Sequence, residues 1–159
     1  MAGEKTGANP TDRGKSGTKR SLLTEGHGVP IGLVVAGANR HDMKLTEATL
    51  QAMVIERPQP TPEHPQNLCL DKGYDYEAVR ELLESYGYTA HIRTRGEEKV
   101  ARMQIPDYRA RRWVVERTHS WMNRFRRLLI RWEKDVENYL AMLHLACAYI
   151  TFRAAKVVG

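Results

Sequence analysis

The segment from Tyr108 to Trp132 constrains this chain more than any other, because its apolar residues recur at helical spacing among many arginines. The pattern predicts one continuous helix with an apolar stripe packed on a core. That stripe consists of Val114, Thr118, Trp121, Phe125, Leu128, Leu129 and Trp132. The only acidic residue of the segment, Glu116, lies roughly opposite the stripe, since each residue turns about 100° around the helix axis.

Glu116 has two interpretations on this pattern alone. A lone carboxylate on a basic helix is often a surface ion-pair partner, and Arg112 stands four residues before it, at the spacing such a pair needs. Alternatively, Glu116 is a functional carboxylate on a face that it shares with other polar side chains. Those side chains are Arg112, Ser120, Asn123 and Arg127.

The chain of 159 residues has a formal net charge of +6, which favours polyanionic partners, nucleic acid before anionic membranes. The positive charge is concentrated between Arg13 and Arg20 and between Arg109 and Arg131. Both cysteines, Cys69 and Cys147, lie in apolar runs and are expected to be buried and reduced. No stretch approaches the roughly 18 apolar residues of a membrane span, and the N-terminus lacks an apolar signal region. We therefore expect a soluble, cytoplasmic protein of one domain.

The first half of the chain has the pattern of a hairpin followed by a helix. Residues 1–17 are rich in small and polar residues without periodicity and are expected to form a flexible, basic lead-in. Two strands, Thr18–Thr24 and Val29–Ala36, are predicted on either side of a turn with two glycines. A helix is predicted from Met43 to Val54 with Asp42 as its N-cap, and capping explains Asp42 without a catalytic role.

A second strand–helix–strand pattern follows. Leu68–Leu70 is an uninterrupted apolar run, typical of a central strand buried on both faces. A helix is predicted from Tyr76 to Tyr86, with Asp75 as its cap and Gly87 ending it at the usual glycine position. Tyr88–Arg93 is the next predicted strand.

Two further segments complete the predicted architecture. Gly96–Asp107 is polar and unpatterned, which indicates a loop. The last helix is predicted from Val136 to Ala155, packed beside the basic helix. Its apolar stripe consists of Tyr139, Leu140, Leu143, Cys147 and Ile150. This order of elements predicts an α/β or α+β domain in which helices pack on a mixed sheet, and the α/β class is the one we adopt.

Asp71 is the second carboxylate of interest, because it follows the predicted strand Leu68–Leu70 directly. Polar residues at the carboxyl ends of strands in open α/β sheets often belong to functional sites, and a carboxylate there is costly unless it is paired or coordinated. Aspartate in a turn also commonly accepts a hydrogen bond from its own backbone. The pattern alone favours neither interpretation.

Three ordered blocks of the sequence together resemble the catalytic core of bacterial insertion-sequence transposases of the DDE type, most closely the group around insertion sequence five. The first block is NPTDRGKSGTKRSLLTEGHGVPIGLVVAGANRHD, the second LCLDKGYD and the third RRWVVERTHSWMNRFRRLLIRWE. The resemblance extends from Asn9 to Arg153, and the combination of blocks is specific where any one alone is not.

The resemblance implies a ribonuclease-H-like fold in which two aspartates on strands and a glutamate on a later helix bind two divalent metal ions, Mg²⁺ or Mn²⁺. Asp71 matches the second aspartate and Glu116 matches the glutamate. Arg112 matches the arginine of the family's glutamate signature. Such a pair of hard ions, bound by carboxylates, is suited to phosphoryl transfer on DNA.

The chain departs from that signature at two positions. Arg109 stands where a tyrosine is often found and Asn123 where a lysine is often found, with Arg124 as a candidate substitute for the lysine. The resemblance further implies DNA as partner, at the transposon ends and the target, a homo-oligomer, and location at the bacterial nucleoid. The residues expected to contact the DNA backbone are Arg109, Arg112, Arg117, Arg124, Arg127 and Lys72.

In the family the first aspartate lies on a strand upstream of the block that begins at Asn9, and the eight residues before Asn9 contain no aspartate. We therefore expect residues 18–159 to form an N-terminally truncated ribonuclease-H-like domain, and we expect the chain alone to show no strand transfer. Two functions remain open: a transposase that cleaves and joins DNA, and an inactive remnant that only binds DNA non-specifically. A third, less favoured interpretation is a protein whose basic surface has no DNA function.

Overall fold

The computed structural model describes residues 5–92, 95–104 and 113–156, which form two compact units. The first unit comprises Met1–Val54 and Val114–Gly159, and the second comprises Ile55–Trp113. The described elements in chain order are β1 (Gly7–Ala8), β2 (Ser16–Thr24), β3 (Pro30–Gly37), α1 (Thr46–Gln51), β4 (Gln66–Leu70), α2 (Glu77–Ser85), β5 (Tyr88–Ile92), α3 (Arg95–Gln104), α4 (Trp113–Met122), α5 (Arg126–Leu129) and α6 (Val136–Ala154).

The mixture of helices and strands confirms the predicted α/β class. The ribonuclease-H-like arrangement and the assignment of residues 18–159 to one domain stay predictions. No helix among the described residues is long and apolar enough to cross a membrane.

A hairpin of β2 and β3 forms most of the sheet of the first unit, as the sequence predicts. The two strands pair antiparallel, with Leu22 opposite Leu33. β1 pairs antiparallel with the beginning of β2, with Gly7 opposite Gly17. The predicted lead-in over residues 1–17 therefore contains a strand, and its flexibility stays a prediction.

The turn between β2 and β3 is organised by the side chain of Glu25. Its carboxylate accepts hydrogen bonds from the backbone N–H groups of His27, at 2.7 Å, and Val29, at 2.9 Å. Burial alone would raise the pKa of this carboxyl, but the hydrogen bonds from Val29 and His27 outweigh burial and lower the pKa. Gly28 has a φ of +87°, a left-handed conformation that glycine adopts without steric cost.

The core of the first unit lies between the hairpin and α6. Its buried cluster consists of Leu33, Val35, Met122, Leu128, Val136, Tyr139, Leu143, Ala146 and Ile150. Asp135 caps α6, since its carboxylate accepts a hydrogen bond from the backbone N–H of Glu137 at 2.8 Å. The predicted last helix is thereby confirmed. Of its predicted stripe, Tyr139, Leu143 and Ile150 are buried, and Leu140 and Cys147 are half-buried.

The helix predicted from Met43 to Val54 is shorter and begins differently. A 3-10 turn covers Asp42–Leu45 before α1 begins, and His41 occupies the N-cap position of that turn. Asp42 instead forms an ion pair with Lys19 of β2, with Nζ and Oδ1 3.0 Å apart. The prediction that Asp42 caps the helix is wrong, because the neighbouring strand supplies a cation for its carboxylate.

The single helix predicted from Tyr108 to Trp132 is also wrong, because α4 and α5 are separated by a break. The backbone hydrogen bonds tighten to a three-residue spacing at the break, from Arg124 N to Trp121 O at 3.2 Å and from Phe125 N to Met122 O at 3.1 Å. Phe125 then adopts an extended backbone, with φ −79° and ψ 105°.

The break changes which part of the predicted apolar stripe is buried. Val114 and Thr118, before the break, are buried as predicted. Leu129 and Trp132, after it, are 60% and 73% exposed, because the change of backbone direction rotates them away from the core. Residues 105–112, the predicted start of the helix, lie outside the described residues.

β4 and β5 form the two-stranded parallel sheet of the second unit, with Leu70 opposite Ile92 at their carboxyl ends. α2 packs on β5 and buries Val79 and Leu83. Gly87 follows α2 with a φ of +71°, which confirms the predicted helix end.

The predictions for β4 and for Cys69 are wrong. Half-buried and exposed residues alternate along β4, and Cys69 is exposed, so the strand is not buried on both faces. Cys147 is half-buried in the first unit, and burial raises the pKa of its thiol to about 11. Both cysteines lie in the described part of the chain, and neither forms a disulfide.

Two local predictions in the second unit are wrong as well. The loop predicted over Gly96–Asp107 contains α3, whose residues are mostly strong helix formers. Asp75 does not cap α2, because Tyr76 occupies that position. The Asp75 carboxylate accepts a hydrogen bond from the Arg80 guanidinium, which lowers the pKa of this carboxyl.

Candidate metal-binding carboxylates and nucleic-acid interface

Glu116 lies in the first turn of α4 with an exposed side chain. Val114 and Thr118 of the same helix are buried, so the helix presents Glu116 away from the core, as the helical pattern predicts. No described residue forms an ion pair with Glu116. Arg112, the predicted partner four residues before it, lies outside the described residues.

The turn of the hairpin holds the helix that carries Glu116. The Thr118 hydroxyl donates a buried hydrogen bond to the carbonyl oxygen of Gly28 at 2.7 Å. The Arg117 guanidinium donates to the carbonyl oxygen of His27. Because Arg117 and Thr118 directly follow Glu116, these two bonds fix the backbone that carries the candidate carboxylate.

No pattern in the sequence indicates this anchor. Thr118 falls on the predicted apolar stripe, and its hydrogen-bond partner Gly28 is 90 residues away in the chain. A hydroxyl on an apolar helix face indicates a buried acceptor, but it does not say which one.

A polar contact fixes the end of α4. Arg20 Nη2 donates a hydrogen bond to the side-chain oxygen of Asn123 at 2.7 Å. Burial first, and the charge of Arg20 second, lower the pKa of His119 to about 4, so this imidazole is neutral at pH 7. The family that the sequence resembles often has a lysine at the position of Asn123. In this chain Arg20 of β2 places a cation beside that position.

Asp71 follows β4 and begins the 3-10 turn Lys72–Tyr74. Its Oδ1 atom accepts a hydrogen bond from the backbone N–H of Gly73 at 2.8 Å, the bond that the turn interpretation predicts. The side chain is exposed, and no donor among the described residues reaches its other carboxylate oxygen. The turn therefore orients Asp71 while leaving one oxygen for a further ligand.

Three candidate DNA-contacting residues have exposed side chains: Arg124, Arg127 and Lys72. Two of them lie near carboxylates. Arg127 Nη1 is 3.8 Å from Glu133 Oε1, and Lys72 Nζ is 3.7 Å from Asp75 Oδ2. At such distances on an exposed surface, each ion pair is weak and leaves the cation accessible to a phosphate.

Other arginines of the basic segment contribute to the fold. Arg117 is held by the hairpin turn, and Arg131 Nη1 donates a hydrogen bond to the Thr18 hydroxyl at 2.7 Å. The DNA contact expected of Arg117 stays a prediction beside this structural role. Arg109 and Arg112 lie outside the described residues.

Asp71 and Glu116 belong to different compact units, so their approach to a common metal site stays a prediction. Within the described residues, no three or more His, Cys, Asp or Glu side chains come together as a metal site. The two carboxylates do provide the hard oxygen donors that Mg²⁺ prefers, and both are exposed to receive an ion.

Comparisons with known proteins find similar transposases. Residues 2–151 match the protein family described as Transposase DDE domain. The chain is 35% identical over 154 residues to a putative transposase for insertion sequence element IS402 from Burkholderia cepacia. That similarity covers 96% of this chain and 71% of the relative. No solved structure matches the chain.

Proposed function

Since the chain belongs to the DDE transposase family of bacterial insertion sequences, we propose that Asp71 and Glu116 are catalytic residues of metal-dependent DNA cleavage and strand transfer, and that strand transfer also needs the family's first aspartate. The observation that carries this proposal is the position of Glu116, exposed on a helix that the core and the hairpin turn fix from the other side. A rigid backbone with an exposed carboxylate is what a metal ligand requires.

The donor chemistry fits divalent ions such as Mg²⁺ or Mn²⁺. Asp71 would bind through the oxygen that Gly73 N–H does not occupy, and Glu116 through its exposed carboxylate. Bound divalent ions supply charge stabilisation at the attacking and leaving oxygens of a phosphodiester. The ribonuclease-H-like fold implied by the family would bring the two carboxylates within about 8 Å, as expected for ions about 4 Å apart.

The chain's own cations would hold the substrate. The exposed guanidinium groups of Arg124 and Arg127 suit bidentate contact with backbone phosphates. Lys72 lies next to Asp71 and would contact a phosphate close to the reacting bond. Arg117 would act on DNA only if it left the hairpin turn, so we rank it below the other three.

The test is nicking of supercoiled plasmid by the purified chain with Mg²⁺ or Mn²⁺, beside the variants Asp71→Asn and Glu116→Gln. We expect both variants to fall to the background of the metal-free reaction, because each loses a charged ligand. The matched control is Glu137→Gln, since Glu137 is also an exposed glutamate in the first turn of a helix of the first unit. Cleavage that survives both ligand substitutions would overturn the assignment of the site.

DNA binding without cleavage is the second candidate function, and the exposed Arg124, Arg126 and Arg127 favour it. It predicts duplex binding that weakens steeply with salt through counterion release, and that persists in Glu116→Gln. Replacing Arg127 with glutamine should reduce the salt slope by about one phosphate contact. Such binding, together with no metal-dependent nicking by the unsubstituted chain, would select this function over the first.

A further inference from the structure

A groove of about 610 Å³ lies beside the break between α4 and α5, against the last turns of α6. All of its lining belongs to the first unit. The lining residues are Trp121, Arg124, Phe125, Tyr149, Ile150, Arg153 and Ala154. The groove lies where the backbone becomes extended at Phe125.

Aromatic rings form one part of the lining. Phe125 and Tyr149 meet edge to face, with ring centroids 5.8 Å apart and planes at 86°. Tyr149 is 50% exposed. The Trp121 ring is covered by the Arg117 guanidinium, 4.7 Å from its centroid, which fixes the indole in place. The groove therefore offers rigid aromatic surface to a flat ligand.

Cations form the rest of the functional lining. Arg124 and Arg153 are exposed, and no carboxylate is among the described residues that line the groove. Tyr149 and Arg153 are four residues apart on α6, so they lie on the same face of the helix one turn apart. An aromatic surface with guanidinium groups at its edge complements a ligand that is flat and apolar at one end and anionic at the other.

We propose that this groove binds an unpaired nucleotide of a DNA strand, with the base stacked on the face of the Tyr149 ring and the phosphate held by Arg124 and Arg153. The inference rests on the proposed DNA function. Stacking on aromatic side chains and arginine contacts to the backbone are the general chemistry of single-strand binding. A base within a duplex is stacked on its neighbours, so only an unpaired base can enter the groove.

The test compares a fluorescein-labelled oligothymidine with a labelled duplex, titrated with the whole chain at fixed salt. Tyr149→Leu should weaken binding of the single strand about five- to hundredfold, the range of one lost stacking contact. Arg153→Gln should also weaken it, because one phosphate contact is lost. Both should leave duplex affinity unchanged. The matched controls are Phe152→Leu and Arg40→Gln, which alter an exposed aromatic and an exposed arginine outside the groove. They should leave both affinities unchanged.

Photo-crosslinking with 4-thiothymidine in the oligonucleotide locates the base independently of affinity. We expect crosslinks at Trp121, Phe125 or Tyr149 in the unsubstituted chain. Salt-dependent duplex binding with equal effects of Tyr149→Leu and Phe152→Leu, or with crosslinks confined to other residues, would overturn this inference and leave the proposed function intact. Failure to bind either DNA would overturn both.

Discussion

The two compact units hold their candidate carboxylates in different ways. In the first unit, Glu116 sits on α4, whose neighbouring turns bury Val114, Thr118 and Met122. In the second, Asp71 sits in an exposed turn, and a single backbone hydrogen bond from Gly73 orients it. The described buried hydrophobic residues of that unit are Val79 and Leu83. The position of Glu116 thus depends on a large core, and that of Asp71 on a local turn.

This difference separates the effects expected of substitutions. Substitutions in the core of the first unit should lower its free energy of unfolding strongly. They should also displace α4, the helix that carries Glu116. Changes around Asp71 alter the orientation of one carboxylate and cost little stability. The predictions below test that contrast, beginning with the largest expected effect.

Leu143→Ala should lower the stability of the first unit by about 3–5 kcal/mol, because Leu143 is fully buried within the core cluster. Leu83→Ala, also at a fully buried residue, should lower the stability of the second unit by about 2–3 kcal/mol, since fewer neighbours surround the cavity. Amide hydrogen exchange measures the stability of each unit separately. Leu145→Ala is the control, at a residue 71% exposed on the same helix as Leu143. Equal protection losses for Leu143→Ala and Leu145→Ala would contradict the described core.

Acid should destabilise the first unit through His119. Burial and Arg20 lower the folded-state pKa of His119 from 6.5 to about 4, so the unfolded chain takes up a proton that the folded chain excludes. The neutral imidazole therefore contributes at most about 3 kcal/mol to the free energy of unfolding. This contribution is complete above pH 6.5 and is lost as the pH falls towards 4. His119→Gln should flatten the pH dependence of the urea midpoint over this window, whereas replacement of the exposed His144 should not. An unchanged slope in His119→Gln would show that the imidazole is not buried.

Gly28→Ala should lower the free energy of unfolding by about 2–3 kcal/mol. The backbone at Gly28 is left-handed, and an added Cβ would also make close contacts. It would lie 3.0 Å from both Arg117 Nη2 and Thr118 Oγ1, the two groups that anchor α4. Gly14→Ala is the matched control, since Gly14 also has a positive φ but nothing within 4 Å of the added carbon. It should cost about 1 kcal/mol, as measured by thermal unfolding. Equal costs at the two glycines would show that the turn does not hold the helix.

Asp71→Asn should change stability least, by less than about 0.5 kcal/mol, because the amide oxygen can still accept the Gly73 N–H. Asp71→Ala removes the acceptor and should cost about 1 kcal/mol. Hydrogen exchange at the Gly73 amide distinguishes the two: we expect it to be unchanged in Asp71→Asn and faster in Asp71→Ala. Faster exchange in both would mean that the negative charge, rather than the turn geometry, holds this hydrogen bond.

Segments with apolar periodicity, or with glycines that mark their ends, could be predicted from the sequence. The hairpin of β2 and β3, the end of α2 at Gly87 and the whole of α6 follow from apolar periodicity and glycine positions, which are local features of the sequence. The exposure of Glu116 follows from helical geometry in the same way. Both candidate carboxylates were found by their placement and by resemblance, without knowledge of any contact.

Features decided by distant contacts could not be predicted. The apolar stripe continues through Phe125 without a proline or glycine to mark the break, and Arg20 meets Asn123 across 103 residues. α3 resembles a loop in sequence because most of its residues are charged or polar, and few apolar residues mark its helical spacing. The position of Asp42 before a predicted helix is typical of an N-cap. Its ion pair with Lys19 depends on the fold of the hairpin, which the local sequence does not show.

The proposal that Asp71 and Glu116 bind the same metal site is tested most directly by Fe²⁺ in place of Mg²⁺, with ascorbate and peroxide to generate hydroxyl radicals that cut the backbone beside the bound ion. We predict cuts near both Asp71 and Glu116, suppressed by excess Mg²⁺ and lost at both places in Glu116→Gln. Glu137→Gln should retain both cuts. Cutting beside only one of the two carboxylates, or cutting near Asp71 that Glu116→Gln leaves unchanged, would contradict a site that the two residues share.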